Sequence, residues 1–171
     1  MMKPEIIGMI GPKSDESASK GREVHVIGGG IDPDYIAAFS KAHEDSGFDK
    51  VLVGYSSSSA DGFLIALHAA ANTTKLGYLI AHRPGFVSPT VLARKVATLD
   101  HLTKGRIALH IISGGGDSEQ QRDGDFLNHT ERYNRSEEFM EILKKLWMSS
   151  SEIDHSGEYY KFIQAKSDIN C

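Results

Sequence analysis

Imidazole, hydroxyl and glycine residues cluster at the ends of short apolar runs in this 171-residue chain. His82 and His110 lie at or near the ends of two runs, four consecutive serines occupy 56–59, and Ser113 precedes three glycines at 114–116. An imidazole exchanges protons near neutral pH, and hydroxyl groups beside a helix start suit oxygen-rich or anionic ligands. One such histidine is more often an ordinary interior residue, and a serine run is often only a capping loop. Taken together, these residues indicate a ligand site.

Other kinds of site are not indicated by the spacing. Neither H-E-x-x-H nor C-x-x-C occurs and the eight histidines are scattered, so we predict no metal site. The segment 54–58 reads Gly-Tyr-Ser-Ser-Ser and lacks the second glycine of G-x-S-x-G, so a serine hydrolase is not predicted. The glycines at 114–116 resemble a phosphate loop, but no Lys-Ser or Lys-Thr follows them, and the nucleotide motif is weak.

A further candidate is the segment 129–133, His-Thr-Glu-Arg-Tyr, at the start of a predicted helix. These residues can simply cap the helix and carry a solvated charge pair. Alternatively, Arg132 and Tyr133 can face an anion near the positive end of the helix dipole. The residues alone leave both interpretations open.

The elements that position these residues alternate along the chain. Apolar runs predict strands, and segments with apolar residues at helical spacing predict helices. The predicted strands are 5–10, 50–53, 76–81 and 106–112; the helices begin near 33, 60, 89 and 131; a long polar connection covers 11–30 and a hairpin 153–163. Four strand–helix units in succession predict a parallel sheet, either doubly wound or part of a (β/α)8 barrel. In both architectures the chemistry lies beyond the carboxyl ends of the strands.

Helical spacing also predicts which helix faces are buried. In the second helix, Phe63, Leu64, Leu67 and Ala71 are expected to point inward. In the last helix, Tyr133 is expected to join an apolar stripe that includes Phe139.

The composition excludes several classes of protein. The 19 Lys and Arg against 23 Asp and Glu give a net charge of −4 without a basic stripe, so nucleic acid is not an expected partner. Nothing approaches the ~20 consecutive apolar residues of a membrane span, and the N-terminus lacks a secretory leader, so we expect a cytoplasmic protein. The single cysteine, Cys171, cannot form an internal disulfide.

An ordered set of segments resembles a known family. The segments are Val51–Ser59, Ala81–Gly85, Ser88–Thr90, Ala97–Asp100, Gly105–Arg106 and Asp125–Tyr133. In this order and spacing they resemble the luciferase-like, flavin-dependent monooxygenases, closest to the alkanesulfonate monooxygenase branch. The resemblance extends over residues 5 to about 168.

The resemblance implies a fold and an activity. It implies a (β/α)8 barrel that binds reduced FMN supplied by a separate NAD(P)H-dependent flavin reductase. With oxygen, the flavin oxidises a small organic substrate; in the sulfonate branch this breaks a carbon–sulfur bond and yields an aldehyde and sulfite. The protein positions the flavin, excludes water and stabilises developing charge.

The resemblance also assigns roles to residues. His110 and Ser113 match positions at the flavin ring, and Arg132 and Tyr133 match an Arg-Tyr pair near the flavin and its phosphate. Gly114 is a further implied cofactor contact. Ser59 and Arg83 are the implied substrate contacts, although the sulfonate enzymes carry a cysteine in place of Ser59. The catalytic candidates are His82, beside the flavin at the third strand end, and His110.

The length departs from the family, whose members run to about twice this size, and a complete barrel takes about 250 residues. We therefore expect residues 1–171 to form one truncated N-terminal half-barrel, about four strand–helix units and a C-terminal hairpin, with impaired activity. The alternatives are a non-catalytic remnant, or a flavin- or anion-binding module that acts only with a partner subunit. Unpaired sheet edges lead us to expect a homo-oligomer or aggregation.

Overall fold

The computed structural model describes residues 4–13 and 30–169. Most of the long connection predicted over 11–30 lies outside these residues, as does Cys171. In chain order the elements are β1 (Ile7–Ile10), α1 (Pro33–Asp45), β2 (Lys50–Val53), α2 (Gly62–Ala71), β3 (Gly77–His82), α3 (Pro89–Thr103), β4 (Ile107–Ile111), α4 (Asp117–Arg122), α5 (His129–Met148), β5 (Ile153–Ser156) and β6 (Lys161–Ala165).

The first four strands form one sheet in the order β1-β2-β3-β4. β1 pairs with β2 in parallel, with Ile10 opposite Val53, and β2 pairs with β3 in parallel, with Val53 opposite Ile80. Parallel register brings the residues that follow neighbouring strands to the same edge of the sheet. β5 and β6 form the antiparallel hairpin that the sequence predicted.

Local capping residues determine where α1 and α5 begin. Asp32 accepts a hydrogen bond from the Tyr35 amide at 3.0 Å, with Pro33 at the first helical position. Asn128 and Glu131 form a reciprocal capping box, so α5 begins at His129, two residues earlier than the apolar spacing indicates.

The described residues divide into two compact units. The first comprises the residues up to His82 together with Arg106–His110, and its core includes the buried strand residues Val51 and Tyr78. The second comprises Arg83–Gly105 and the residues from Ile111 onward, and its core includes α3 and α5 side chains such as Leu92 and Phe139. In the second unit α3 packs against α5, and the Trp147 indole donates a hydrogen bond to the Ala93 carbonyl at 3.2 Å.

Two predicted helix faces are wrong in part: Phe63 of α2 and Phe139 of α5 are buried as expected, but other residues of these faces are not. In α2, Leu64 is 65% exposed and Ala71 is also exposed, whereas Ala66 and Ala69 are fully buried. α2 is apolar on nearly every side, so periodicity does not single out one face, and the small alanines let the helix lie close to the sheet of its own unit. In α5, Tyr133 is exposed rather than part of the buried stripe.

None of the helices in the described part of the chain is long and apolar enough to cross a membrane.

Candidate functional site

In the first unit, a cleft lies at the carboxyl ends of β1 and β2. Its empty space, about 220 Å³, includes the opening to solvent. Because the parallel register aligns the ends of β1 and β2, the residues that follow both strands meet there. The lining combines small and apolar residues: Ile10, Gly11, Pro12, Val53, Gly54, Ser59, Ala60 and Ile65. This lining suits an apolar part of a ligand more than a charged one.

Ser59 lines this cleft, and its hydroxyl also closes the serine turn. The hydroxyl donates to the Ser56 carbonyl at 2.9 Å and accepts from the Ser56 amide at 3.0 Å. The side chain therefore fixes the loop at the mouth of the cleft. Its substrate contact remains a prediction.

The two candidate histidines of the first unit lie in contrasting surroundings. His82, the last residue of β3, is 6% exposed and its ring meets the buried Phe63 ring edge-on at a centroid distance of 5.9 Å. His110, on β4, is exposed. Packing against Phe63 holds the His82 imidazole in one orientation, whereas the His110 imidazole is open to solvent. Their catalytic roles remain predictions.

In the second unit, Arg132 joins the connection after β4 to the first turn of α5. Its guanidinium is 1% exposed; Nε donates to the Ser113 carbonyl at 3.1 Å, and Nη1 donates to the Leu127 carbonyl at 2.6 Å and to Asp117 at 2.8 Å. The structure thus brings together Ser113 and Arg132. These contacts direct the Arg132 donors to the protein itself, so this side chain shapes the loop.

The hydroxyl of Ser113 and the backbone of Gly114 are also packed within this unit. The Ser113 and Ser136 hydroxyls lie 2.9 Å apart, and Ser136 donates to the Arg132 carbonyl. Gly114 has φ +82° and lies against the side-chain amide of Gln120, which a Cβ at Gly114 would overlap. Only glycine fits this position.

Tyr133 faces a different direction on α5 from its neighbour Arg132. It is 56% exposed and its ring lies 4.8 Å from the His129 ring, centroid to centroid. Successive helical residues point about 100° apart, so Arg132 turns inward while Tyr133 faces solvent. The Tyr133 phenol is therefore open to a ligand.

Arg83, the first residue of the second unit, is almost fully buried. It forms ion pairs with Asp123 and, at 3.6 Å, with Glu119, and its guanidinium lies 4.7 Å from the centroid of the Phe86 ring. The predicted substrate contact thus has two carboxylate partners from the segment that contains α4.

Sequence reasoning missed a further buried arginine, Arg135, which pairs with Asp125 at 2.5 Å. Burial by itself raises the pKa of Asp125, but hydrogen bonds from Arg135 and the Leu127 amide hold it below its usual value. The spacing Arg132-x-x-Arg135 puts both guanidinium groups on one helix face and could have revealed this residue.

In the described ranges, no group of three or more His, Cys, Asp or Glu side chains could hold a metal ion.

Comparison with known proteins adds the family and the fold. Residues 11–169 match the family model described as luciferase-like monooxygenase. A long-chain alkane monooxygenase is similar in structure, with TM-score 0.78 and 21% identity over 99% of this chain and 50% of that chain.

Two further solved structures carry named ligands. An F420-dependent secondary alcohol dehydrogenase with an F420-acetone adduct has TM-score 0.79 and 19% identity over 99% of this chain and 49% of that one. The oxygenating constituent of 3,6-diketocamphane monooxygenase from the CAM plasmid of Pseudomonas putida, in complex with FMN, has TM-score 0.70 and 18% identity over 95% and 43%.

These likenesses confirm the predicted fold class, α/β with the first four strand–helix units of a (β/α)8 barrel and a C-terminal hairpin. The chain spans about half the length of the solved structures it matches.

Proposed function

The chain belongs to the luciferase-like monooxygenase family, and we propose that it is the flavin-dependent part of a monooxygenase that uses reduced FMN and oxygen to oxidise a small organic substrate. The observation that carries this proposal is the family match over residues 11–169, which includes the strand-end residues of the first unit and the Ser113–Tyr133 region of the second.

Within this proposal, the substrate is a sulfonate. Its support is the resemblance of the segments Val51–Ser59 and Asp125–Tyr133 to the alkanesulfonate branch. Ser59, at the cleft of the first unit, and Arg83, in the second unit, are separate candidates for a substrate contact.

The chemistry of the available groups fits FMN in each unit. The small and apolar residues at the cleft of the first unit suit an apolar part of such a ligand. In the second unit, the exposed Tyr133 phenol and the exposed backbone of Gly115 and Gly116 suit phosphate oxygens. Each unit therefore offers groups of the kind that FMN needs.

When bound, reduced FMN would supply the electrons for the reaction with oxygen. The chain's own residues bind and orient the ligands. The apolar lining of the cleft excludes water, and Phe63 keeps the His82 imidazole in one orientation. Arg132 holds the carbonyls of the loop that begins at Ser113, so that this loop keeps one shape.

Two further parts of the proposal concern the surroundings of the protein. We assign the supply of reduced FMN to a separate NAD(P)H-dependent flavin reductase, and we place the protein in the cytoplasm. No nucleic acid or membrane partner is part of the proposal.

The experiment measures FMN binding first and turnover second. We expect the purified chain to quench FMN fluorescence on titration and to prefer FMN over F420. With NADH, a flavin reductase and an alkanesulfonate, we expect release of sulfite. A Tyr133→Phe variant should bind FMN more weakly if the phenol contacts the phosphate, whereas Tyr159→Phe serves as a tyrosine control.

The other outcomes favour the alternatives. FMN binding without oxidation of any organic substrate would favour a flavin-binding module, and no binding at all would favour a non-catalytic remnant. The observation that favours a module working with a partner subunit is that the chain spans about half the length of the structures it matches. In that case, adding a partner chain should restore turnover.

A further inference from the structure

A short acidic segment of the second unit is bounded by two glycines of unusual backbone geometry. We call residues 114–124 the acidic strap; it contains α4. Gly114 has φ +82° and Gly124 has φ +85°, a region that favours glycine over other residues. The strap therefore begins and ends at points where the backbone turns sharply.

The strap is held by ion pairs to two buried arginines. Asp117 pairs with Arg132 at 2.8 Å, while Glu119 and Asp123 both pair with Arg83. The side chains of Arg83 and Arg132 are each 1% exposed, whereas that of Asp117 is 67% exposed. The strap thus contributes partly solvated carboxylates that lie over cations buried beneath them.

The buried side-chain amide of Gln120 destabilises this position of the strap. Gln120, inside the strap, is fully buried, and neither its amide nitrogen nor its amide oxygen has a hydrogen-bond partner among the described residues. The amide lies against the backbone of Gly114 instead. A buried donor and acceptor without partners favour any state in which water reaches them.

We propose that the acidic strap is a movable segment that covers Arg83 and Arg132. Its ion pairs stabilise this closed position, whereas the lack of hydrogen bonds to the Gln120 amide in the closed position favours lifting of the strap. Lifting turns the backbone at Gly114 and Gly124, hydrates Gln120 and uncovers Arg83 and Arg132. The strap begins at Gly114, beside Ser113, so lifting opens the loop to which we assign cofactor contacts. That link to ligand access rests on the proposed function, whereas the lifting does not.

Salt concentration tests, in the unmodified chain, whether the ion pairs hold the strap in its closed position. Raising NaCl from about 0.1 M to about 1 M shortens the Debye length from roughly 10 to 3 Å. Because the Asp117 carboxylate is 67% exposed, we expect amide hydrogen exchange in peptides from 114–124 to accelerate by up to about fivefold, while peptides from the middle of α5 are unchanged. Unchanged exchange in the strap, or an equal acceleration in α5, would overturn the proposal.

Two variants should change amide exchange in the strap in opposite ways. Asp123→Asn removes one ion pair with Arg83 and should accelerate amide exchange in the strap. Gln120→Met removes the unpaired side-chain amide at similar volume and should slow amide exchange there. Asp45→Asn, an exposed carboxylate paired with Lys41 on α1, is the matched control and should leave the strap unchanged. If Asp123→Asn does not fold, Gln120→Met still tests the proposal, because faster amide exchange in the strap of that variant would contradict it.

Discussion

Glu44 organises the turn between α2 and β3 through its carboxylate. The amides of Thr74, Lys75 and Leu76 donate to one carboxylate oxygen at 2.8, 2.6 and 3.0 Å. Burial alone raises the pKa of Glu44, but the three amides and Lys41 outweigh it and lower the pKa to about 2. A carboxylate in this position replaces the hydrogen bonds that helix or sheet would otherwise provide.

We predict that Glu44→Gln destabilises the chain by about 2 kcal/mol at pH 7, because the neutral amide oxygen of Gln accepts from the three backbone amides without the charge that strengthens these hydrogen bonds. Since the folded pKa lies below the ordinary value of 4.5, the contribution of Glu44 is present above about pH 4.5 and disappears as the pH falls toward 2. Urea unfolding of both chains between pH 7 and pH 3 measures the difference.

The matched control for this prediction is Asp45→Asn, which removes an exposed carboxylate one residue away. It should change the free energy of unfolding by less than about 1 kcal/mol. A Glu44→Gln penalty that does not shrink on acidification would show that the carboxylate charge is not what stabilises the turn.

At the scale of elements, one side chain of α5 holds the C-terminal hairpin. Glu138 accepts hydrogen bonds from the Tyr159 and Tyr160 amides, each at 3.0 Å, and from His155 at 2.7 Å. Burial raises the pKa of Glu138, but His155 and the two amides bring it below its ordinary value. Gly157 leaves room for the carboxylate, which a Cβ there would overlap. The hairpin is therefore anchored through its turn.

We predict that Glu138→Ala loosens the hairpin while α5 stays folded, because three hydrogen bonds to one carboxylate are lost together. Amide exchange in residues 153–165 should accelerate about tenfold or more. Hydrogen exchange with peptide-level mass spectrometry measures this. Glu141→Ala, on the exposed side of the same helix, should leave the hairpin unchanged; an equal effect of both variants would mean that helix propensity, not the anchor, is responsible.

At the scale of the whole molecule, the described four-stranded sheet ends at β1 and β4. Ile6, which precedes β1, and Ile7, its first residue, are both about half exposed. An exposed apolar edge strand is a template for pairing with another chain. Self-association is accordingly our expectation for this chain in solution.

We predict that Ile7→Glu reduces self-association, because a charge on an edge strand opposes edge-to-edge pairing. The new carboxylate would lie opposite Lys50 of β2, so the strand pair itself should tolerate it. Light scattering coupled to size-exclusion chromatography measures the mass. Leu102→Glu, at an exposed apolar residue of α3, is the control; a monodisperse monomer of the unmodified chain would contradict the prediction.

The order of elements and the family follow from local and nearly local patterns. Apolar runs define the strands, and Asp32-Pro33 and Asn128-Glu131 define helix starts, because caps involve residues only three apart. The sequence also singles out Ser113 and Arg132, which the structure brings into contact. The short helix α4 was missed, because its six residues are polar and follow three glycines, so they carry no apolar periodicity.

By itself, then, the sequence determined the succession of strands and helices, the parallel sheet and the family. Only the tertiary structure decided which groups meet over long separations. Arg83 pairs with Asp123 forty residues away, and Glu138 with the amides of Tyr159 and Tyr160. It also decided which side of the uniformly apolar α2 is buried. The physical reason is that capping and periodicity act within a few residues of chain, whereas ion pairing and burial depend on which surfaces the folded chain brings together.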